Sequence, residues 1–157
     1  MAIEEIRQRI EDFIHDYAHC IDDDRLEEWP DYFTESCRYQ IIDRENHARG
    51  SVVGVMTCDS RGMLRDRVLA LRDANIYEPH VYRHLISSIR IRGENDGVWS
   101  VQTAYAVIRT MQNGDVSVFS SGKYLDKIVL DQDQLRFRER MVICDSIRID
   151  TLLVIPI

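Results

Sequence analysis

The chain has 157 residues, 45% of them hydrophobic, enough to bury the core of a single domain spanning 1–157. Asp and Glu number 27 against 20 Lys and Arg, a formal net charge of −7, which excludes the basic footprint of a nucleic-acid binder. No apolar run approaches the roughly 18 residues of a membrane span. The opening Met1-Ala-Ile-Glu-Glu-Ile-Arg turns charged at once, where a secretion signal needs an apolar stretch. Cys20, Cys37, Cys58 and Cys144 include no C-x-x-C pair and read as free thiols, mostly in the core. A cytoplasmic protein is expected.

Ile3, Ile6, Ile10, Phe13, Ile14, Tyr17, Ala18 and Ile21 recur near every 3.6 residues, which predicts an amphipathic helix over 3–21. Asp23 or Asp24 can cap a short second helix through Arg25–Trp29, limited by Pro30. Arg38-Tyr-Gln-Ile-Ile42 has the β-branched and aromatic content of a strand. The charge-rich 43–49 stretch reads as a solvated loop. A further helix is predicted from Ser60 to Asp73, with Met63, Leu64, Val68 and Leu71 on one side.

The pattern then changes period. Residues 82–92, 98–111, 115–130 and 134–149 alternate roughly by two, as strands do. Glu94-Asn-Asp-Gly97 and Asn113-Gly-Asp115 are hairpin signals, and Asp131-Gln-Asp-Gln134 is a weaker one. Helices followed by a meander imply an α+β fold with helices packed on one face of an antiparallel sheet.

Candidate chemistry narrows quickly. His15 and His19 lie one helical turn apart but opposite the apolar stripe, the position of a solvated face. His80 and His84 in an extended segment stand roughly 13 Å apart, too far to share an ion. There is no H-E-x-x-H, no C-x-H with C-x-x-H pair of a Rieske cluster, no G-x-S-x-G and no phosphate-binding glycine loop. Cys37 and Cys144 sit in strand-like contexts that favour packing over reactivity. One pairing survives: Asp22 at the end of the first helix and His84 at a strand start, which suit proton abstraction if they meet across a cavity. The alternative is a hydrogen-bonded histidine near a subunit contact with solvated aspartates, and spacing alone does not choose.

Nearly the whole chain resembles the small (β) subunits of aromatic-ring-hydroxylating dioxygenases, the Rieske non-haem iron oxygenases. The resemblance runs through Tyr17-Ala-His-Cys-Ile-Asp22, Trp29-Pro-Asp-Tyr-Phe33, Arg38-Tyr39, Met63-Leu-Arg-Asp-Arg67 and Leu71-Arg-Asp-Ala-Asn-Ile-Tyr-Glu-Pro-His80. It continues in Tyr82-Arg-His-Leu-Ile86, Ser121-Gly-Lys-Tyr-Leu-Asp126, Cys144-Asp-Ser146 and the proline-containing apolar end. The order and spacing of these strings carry it, and subunits of enzymes acting on aromatic carboxylates such as terephthalate or salicylate are most similar. The resemblance implies a cystatin-like cone, with N-terminal helices on a strongly curved, mixed, mainly antiparallel sheet. It also implies a hetero-hexamer of three large (α) and three small chains, the small ones associating as a trimer. The Rieske [2Fe-2S] cluster and mononuclear iron then belong to the large subunit. This chain would hold no cofactor, no metal and no catalytic residue, acting through assembly.

The same cone resembles scytalone dehydratase and its relatives, whose Asp–His dyads would match Asp22 and His84. A cone-fold dehydratase or isomerase is therefore the alternative function, and a binding module for a small apolar ligand is a third class. Leu152, Leu153, Val154, Ile155 and Ile157 either close this domain's own cone or meet a partner. Trp29, Tyr32 and Phe33 are expected in the core. Tyr77, Glu78, Tyr82 and Arg83, in a loop-like stretch broken by Pro79, are the candidate subunit interface.

Overall fold

A computed structural model describes residues 1–73, 79–146 and 155–157. The expected first helix is α1 (Ile3–Asp22), which buries Ile6, Ile10, Ile14, Tyr17, Ala18, Cys20 and Ile21 along one stripe. It stops in a Schellman turn: Arg25 N–H donates to Cys20 C=O and Asp24 N–H to Ile21 C=O, with Asp24 left-handed at φ 59°. That turn uses up the aspartates, so the expected helix over Arg25–Trp29 does not form. Single turns lead instead into a 3₁₀ helix at Trp29–Tyr32, with Pro30 in its first turn. Trp29 and Phe33 lie in the core as expected, and Tyr32 is partly buried beside it.

Strand β1 (Phe33–Asp43) extends well beyond the predicted 38–42. The stretch read as a loop is a short helix, α2 (Arg44–Ala48), which begins where the Asp43 carboxylate accepts the Asn46 N–H at 2.9 Å. After β2 (Met56–Cys58), helix α3 (Arg61–Asp73) starts at Ser60, whose hydroxyl accepts the Met63 N–H at 3.2 Å. Leu64, Val68 and Leu71 are buried, whereas Met63 points to solvent rather than into the expected apolar side.

The meander follows as β3 (His80–Asn95), β4 (Val98–Met111), β5 (Val116–Asp131) and β6 (Gln134–Cys144). Asp96 with Gly97, and Gln132 with Asp133, all have positive φ, so both hairpins close through two-residue turns of the primed type whose twist suits paired strands. Among the described residues six strands form one sheet in the order β2-β1-β6-β5-β4-β3. Every pairing is antiparallel except β1 with β6, which is parallel. The sheet is therefore mixed and mainly antiparallel.

Register shifts at Phe33/Arg38, Ser87/Arg90, Ile91/Gly93, Val107/Ile108 and Lys127/Ile128 bend the strands, as bulges do. The result is a cone whose concave face receives α1 and whose interior is aromatic. Tyr17, Trp29, Phe33, Tyr39 and Phe137 meet mostly edge to face, at centroid distances of 5.3–6.3 Å. The end of the apolar tail closes this cone. Tyr39 donates its hydroxyl proton to Ile157 C=O at 2.7 Å and accepts the Ile157 N–H at 3.1 Å. Leu152, Leu153 and Val154 lie outside the described residues.

Candidate functional site

The alternation of β3 sorts its first residues between two faces. His80, Tyr82 and His84 point into the cone, and Val81, Arg83 and Leu85 point out. The same strand start faces the end of α1, so Asp22 and His84, 62 residues apart in sequence, meet directly. His84 Nδ1 lies 2.6 Å from Asp22 Oδ1, and the His84 backbone N–H donates to Asp22 Oδ2 at 2.7 Å. The two side chains are 0% and 3% exposed.

This arrangement fixes the imidazole. A carboxylate on Nδ1 selects the tautomer with its proton there, leaving Nε2 as the free acceptor. That Nε2 is buried and, among the described residues, has no hydrogen-bond partner. The second carboxylate oxygen does architectural work. β3 is the edge of the sheet, and Asp22 occupies a backbone donor that an exposed edge would offer to another strand. Chemically, the pair can hold a proton at a defined atom in an enclosed place.

Around it the interior is occupied. Arg140 and Asp126, both buried, form a bidentate pair with Nε–Oδ1 at 2.9 Å and Nη2–Oδ2 at 2.8 Å. The Arg140 guanidinium stacks on Tyr124, Phe137 and Tyr17 at 3.9, 4.1 and 4.3 Å from their centroids. Burial opposes its charge, but Asp126 outweighs that and holds its pKa above the ordinary value. Tyr105 stacks on Tyr124 at 4.5 Å, and burial raises both hydroxyls above the usual tyrosine range. A cleft of about 270 Å³ lined by Ile21, Asp22, Pro79, His80, Tyr82 and Ile155 reaches the outer side of this region.

The buried Arg140–Asp126 pair escapes a reading of motifs. Its signal is positional: two opposite charges at inward alternation positions on strands joined by a two-residue turn, aligned as Asp126↔Arg140.

The remaining candidates separate. His15 and His19 are exposed on α1. His80 and His84 are parted by Tyr82, whose ring lies 5.1 and 6.4 Å from theirs. Among the described residues no three His, Cys, Asp or Glu side chains come together as metal ligands do. All four cysteines are buried free thiols, and burial pushes Cys20 and Cys37 up to about 11. Of the expected interface residues, Tyr77 and Glu78 lie outside the described residues. Tyr82 and Arg83 belong to strand β3, within the strand predicted over 82–92, although the loop-like break at Pro79 precedes them. Tyr82 is 3% exposed and stacks inside on Phe119 at 5.1 Å, whereas Arg83 is exposed on the outer face.

Comparison with known proteins gives the site its context. The family model described as "Ring hydroxylating beta subunit" matches residues 17–151. The anthranilate 1,2-dioxygenase small subunit of Burkholderia cepacia is 45% identical over 90% of this chain and 88% of its own length. The terephthalate 1,2-dioxygenase terminal oxygenase component subunit beta 1 of a Comamonas species is 43% identical over 90% and 92%. A crystal structure from Novosphingobium aromaticivorans, named as the beta subunit of an aromatic-ring-hydroxylating dioxygenase, superposes with a TM-score of 0.90 at 42% identity. It covers 99% of this chain and 100% of that one. Sequence, family match and fold agree, and the chain belongs to the small (β) subunits of aromatic-ring-hydroxylating dioxygenases.

Proposed function

We propose that this chain is the assembly subunit of an oxygenase component acting on aromatic carboxylates, and contributes no redox centre. It joins a large subunit as three large plus three small chains, with the small chains associating as a trimer in the cytoplasm. The Rieske cluster and mononuclear iron sit on the large subunit and supply the oxygen chemistry when bound. This chain's donor set does not fit either centre, since its cysteines are scattered and its histidines stand apart.

One observation carries the assembly reading: both Asp22 oxygens hold edge strand β3, and the freed Nε2 of His84 is enclosed. The pair joins α1 to the sheet, so its role is positional, and the dehydratase reading is not adopted. The substrate class follows from the relatives, whose named substrates, anthranilate and terephthalate, are aromatic carboxylates.

The test is co-expression with a large subunit of an aromatic-ring-hydroxylating dioxygenase from the same source. The expected result is a hetero-hexamer in which iron, measured by atomic absorption, tracks the large subunit, while the isolated small chain holds none in stoichiometric amount. His84→Ala, where it still assembles, keeps the turnover per iron. Stoichiometric iron on the isolated chain, or its own dehydration of a substrate that is lost in His84→Ala, would overturn the proposal.

A further inference from the structure

The exposed side of α1 carries chemistry that the fold does not use. His15 and His19 stand four residues apart on the helix, so their side chains leave the same face one turn, about 6 Å, from each other. Both are exposed, and among the described residues neither imidazole is held by a hydrogen bond or ion pair. The helix beneath them is fixed, because Ile14, Tyr17, Ala18 and Ile21 of the same turns are buried in the core. Two imidazoles on a rigid turn are arranged in advance, so a cation that bridges them has only side chains to order.

The surrounding charges favour a cation as well. From Ile10 to Asp24 the chain has no lysine or arginine, whereas Asp12, Asp16 and Asp23 are exposed around the two histidines. The flanking arginines are engaged elsewhere, Arg7 with Glu11, Arg9 with the Asp133 carbonyl and Arg25 with Glu28. His19 lies in the last turn, at the negative end of the helix dipole.

We infer that His15 and His19 form a surface site for one divalent transition-metal ion, nickel, copper or zinc, held by two imidazole nitrogens. Imidazole suits these ions, which bind such ligands more tightly than manganese or ferrous iron does. Among the described residues no third histidine, cysteine or carboxylate joins the pair, so water completes the coordination shell and the aspartates act as charge rather than as ligands. Such a site matches neither a Rieske cluster nor the facial triad of a mononuclear iron. It stands independently of the assembly reading. An ion bridging residues 15 and 19 staples the turn that leads into Asp22, the residue that meets His84, and so stabilises the folded chain.

The test is calorimetric titration of the full, untagged chain with nickel chloride at about pH 8, where imidazoles are neutral. One ion per chain is expected. His15→Gln and His19→Gln should each weaken binding at least about tenfold, because each leaves one imidazole without the advantage of its neighbour. His47→Gln, on α2, should stay within twofold of wild type. Nickel at about a hundred times its Kd should raise the wild-type Tm by about 7 °C, and the same concentration should give at most about half of that in either single variant. Metal-free melts of all variants verify folding. Binding within twofold of wild type in either single variant, or a wild-type chain that takes up no nickel at millimolar concentration, overturns the inference. So does binding that survives in the double variant and is lost on thiol alkylation, which would place the ion on cysteines.

Discussion

Asp22→Ala isolates what holds the end of α1 to the edge of the sheet. The substitution removes both acceptors of a buried site and leaves two donors, the His84 backbone N–H and its Nδ1–H, facing a void in a place 0–3% exposed. A buried donor left unsatisfied costs about 1–3 kcal/mol, and the substitution leaves two of them. The two donors together set a loss of about 4 kcal/mol. For a chain of this length each kcal/mol moves Tm by about 2–4 °C, so Asp22→Ala should melt about 10 °C lower by calorimetry. Asp22→Asn keeps one carbonyl oxygen and should lose less. His84→Ala retains one acceptor site and deletes the ring, so the double variant should lose less than the sum of the singles, a direct readout of the contact. A loss below about 1 kcal/mol for Asp22→Ala, with the helix and sheet signals unchanged, would refute the claim that this pair anchors the fold.

Three further outcomes are expected. At pH 8 the native protein should react with a thiol reagent such as dithionitrobenzoate at no cysteine within minutes and at four after unfolding. Burial holds Cys20 and Cys37 near 11, so the thiolate fraction, and with it the rate, should climb tenfold per pH unit below that value; fast labelling at pH 8 would contradict the enclosure of these thiols. Arg140→Met alone leaves the Asp126 carboxylate buried without its partner and should cost about 3–5 kcal/mol in urea unfolding, whereas adding Asp126→Leu should recover most of it. Gly122→Ala places a methyl carbon 1.9 Å from the Ile143 carbonyl oxygen, a backbone atom that cannot yield without opening β5 from β6. A loss above about 2 kcal/mol in melting experiments is expected, and a neutral effect would show the strand pair to be pliant.

The sequence was most readable where one physical signal dominated. α1 was visible because seven buried residues recur at the helical period, and its end fell within one residue of the prediction. The meander was visible because alternation and turn residues agree. Where tertiary geometry decided, the reading failed. The residues after Asp22 have ordinary helical composition, but the Schellman turn puts Asp24 in the left-handed region and draws Leu26 into the core. α2 has no buried residue, so no apolar period announced it, and only the Asp43 cap begins it. The Asp22–His84 pairing was proposed from residue type, but its second bond, from carboxylate to strand backbone, needed the packing of α1 on β3. Arg140 and Asp126 needed the register of a hairpin with a bulge in it, which shifts the pairing by one residue between Lys127 and Ile128. Tyr82 and Arg83 are grouped as interface candidates by their place just after Pro79. As strand neighbours they point in opposite directions.

The parallel pairing of β1 with β6 has a consequence for how the molecule comes into being. β3 to β6 are sequential hairpins that can form from neighbouring segments, but β1 can take its place between β2 and β6 only after β6, roughly a hundred residues later, is available to pair with it. Tyr39 on β1 then waits further still, for Ile157. Contacts of such sequence separation slow folding, because the chain loses loop entropy before it gains their energy. During that interval the aromatic floor formed by Phe33 and Tyr39 lies open. Refolding should therefore show an early phase in which the meander gains exchange protection and a later one in which β1 amides do. Destabilising β6 should slow the second phase while leaving the first in place.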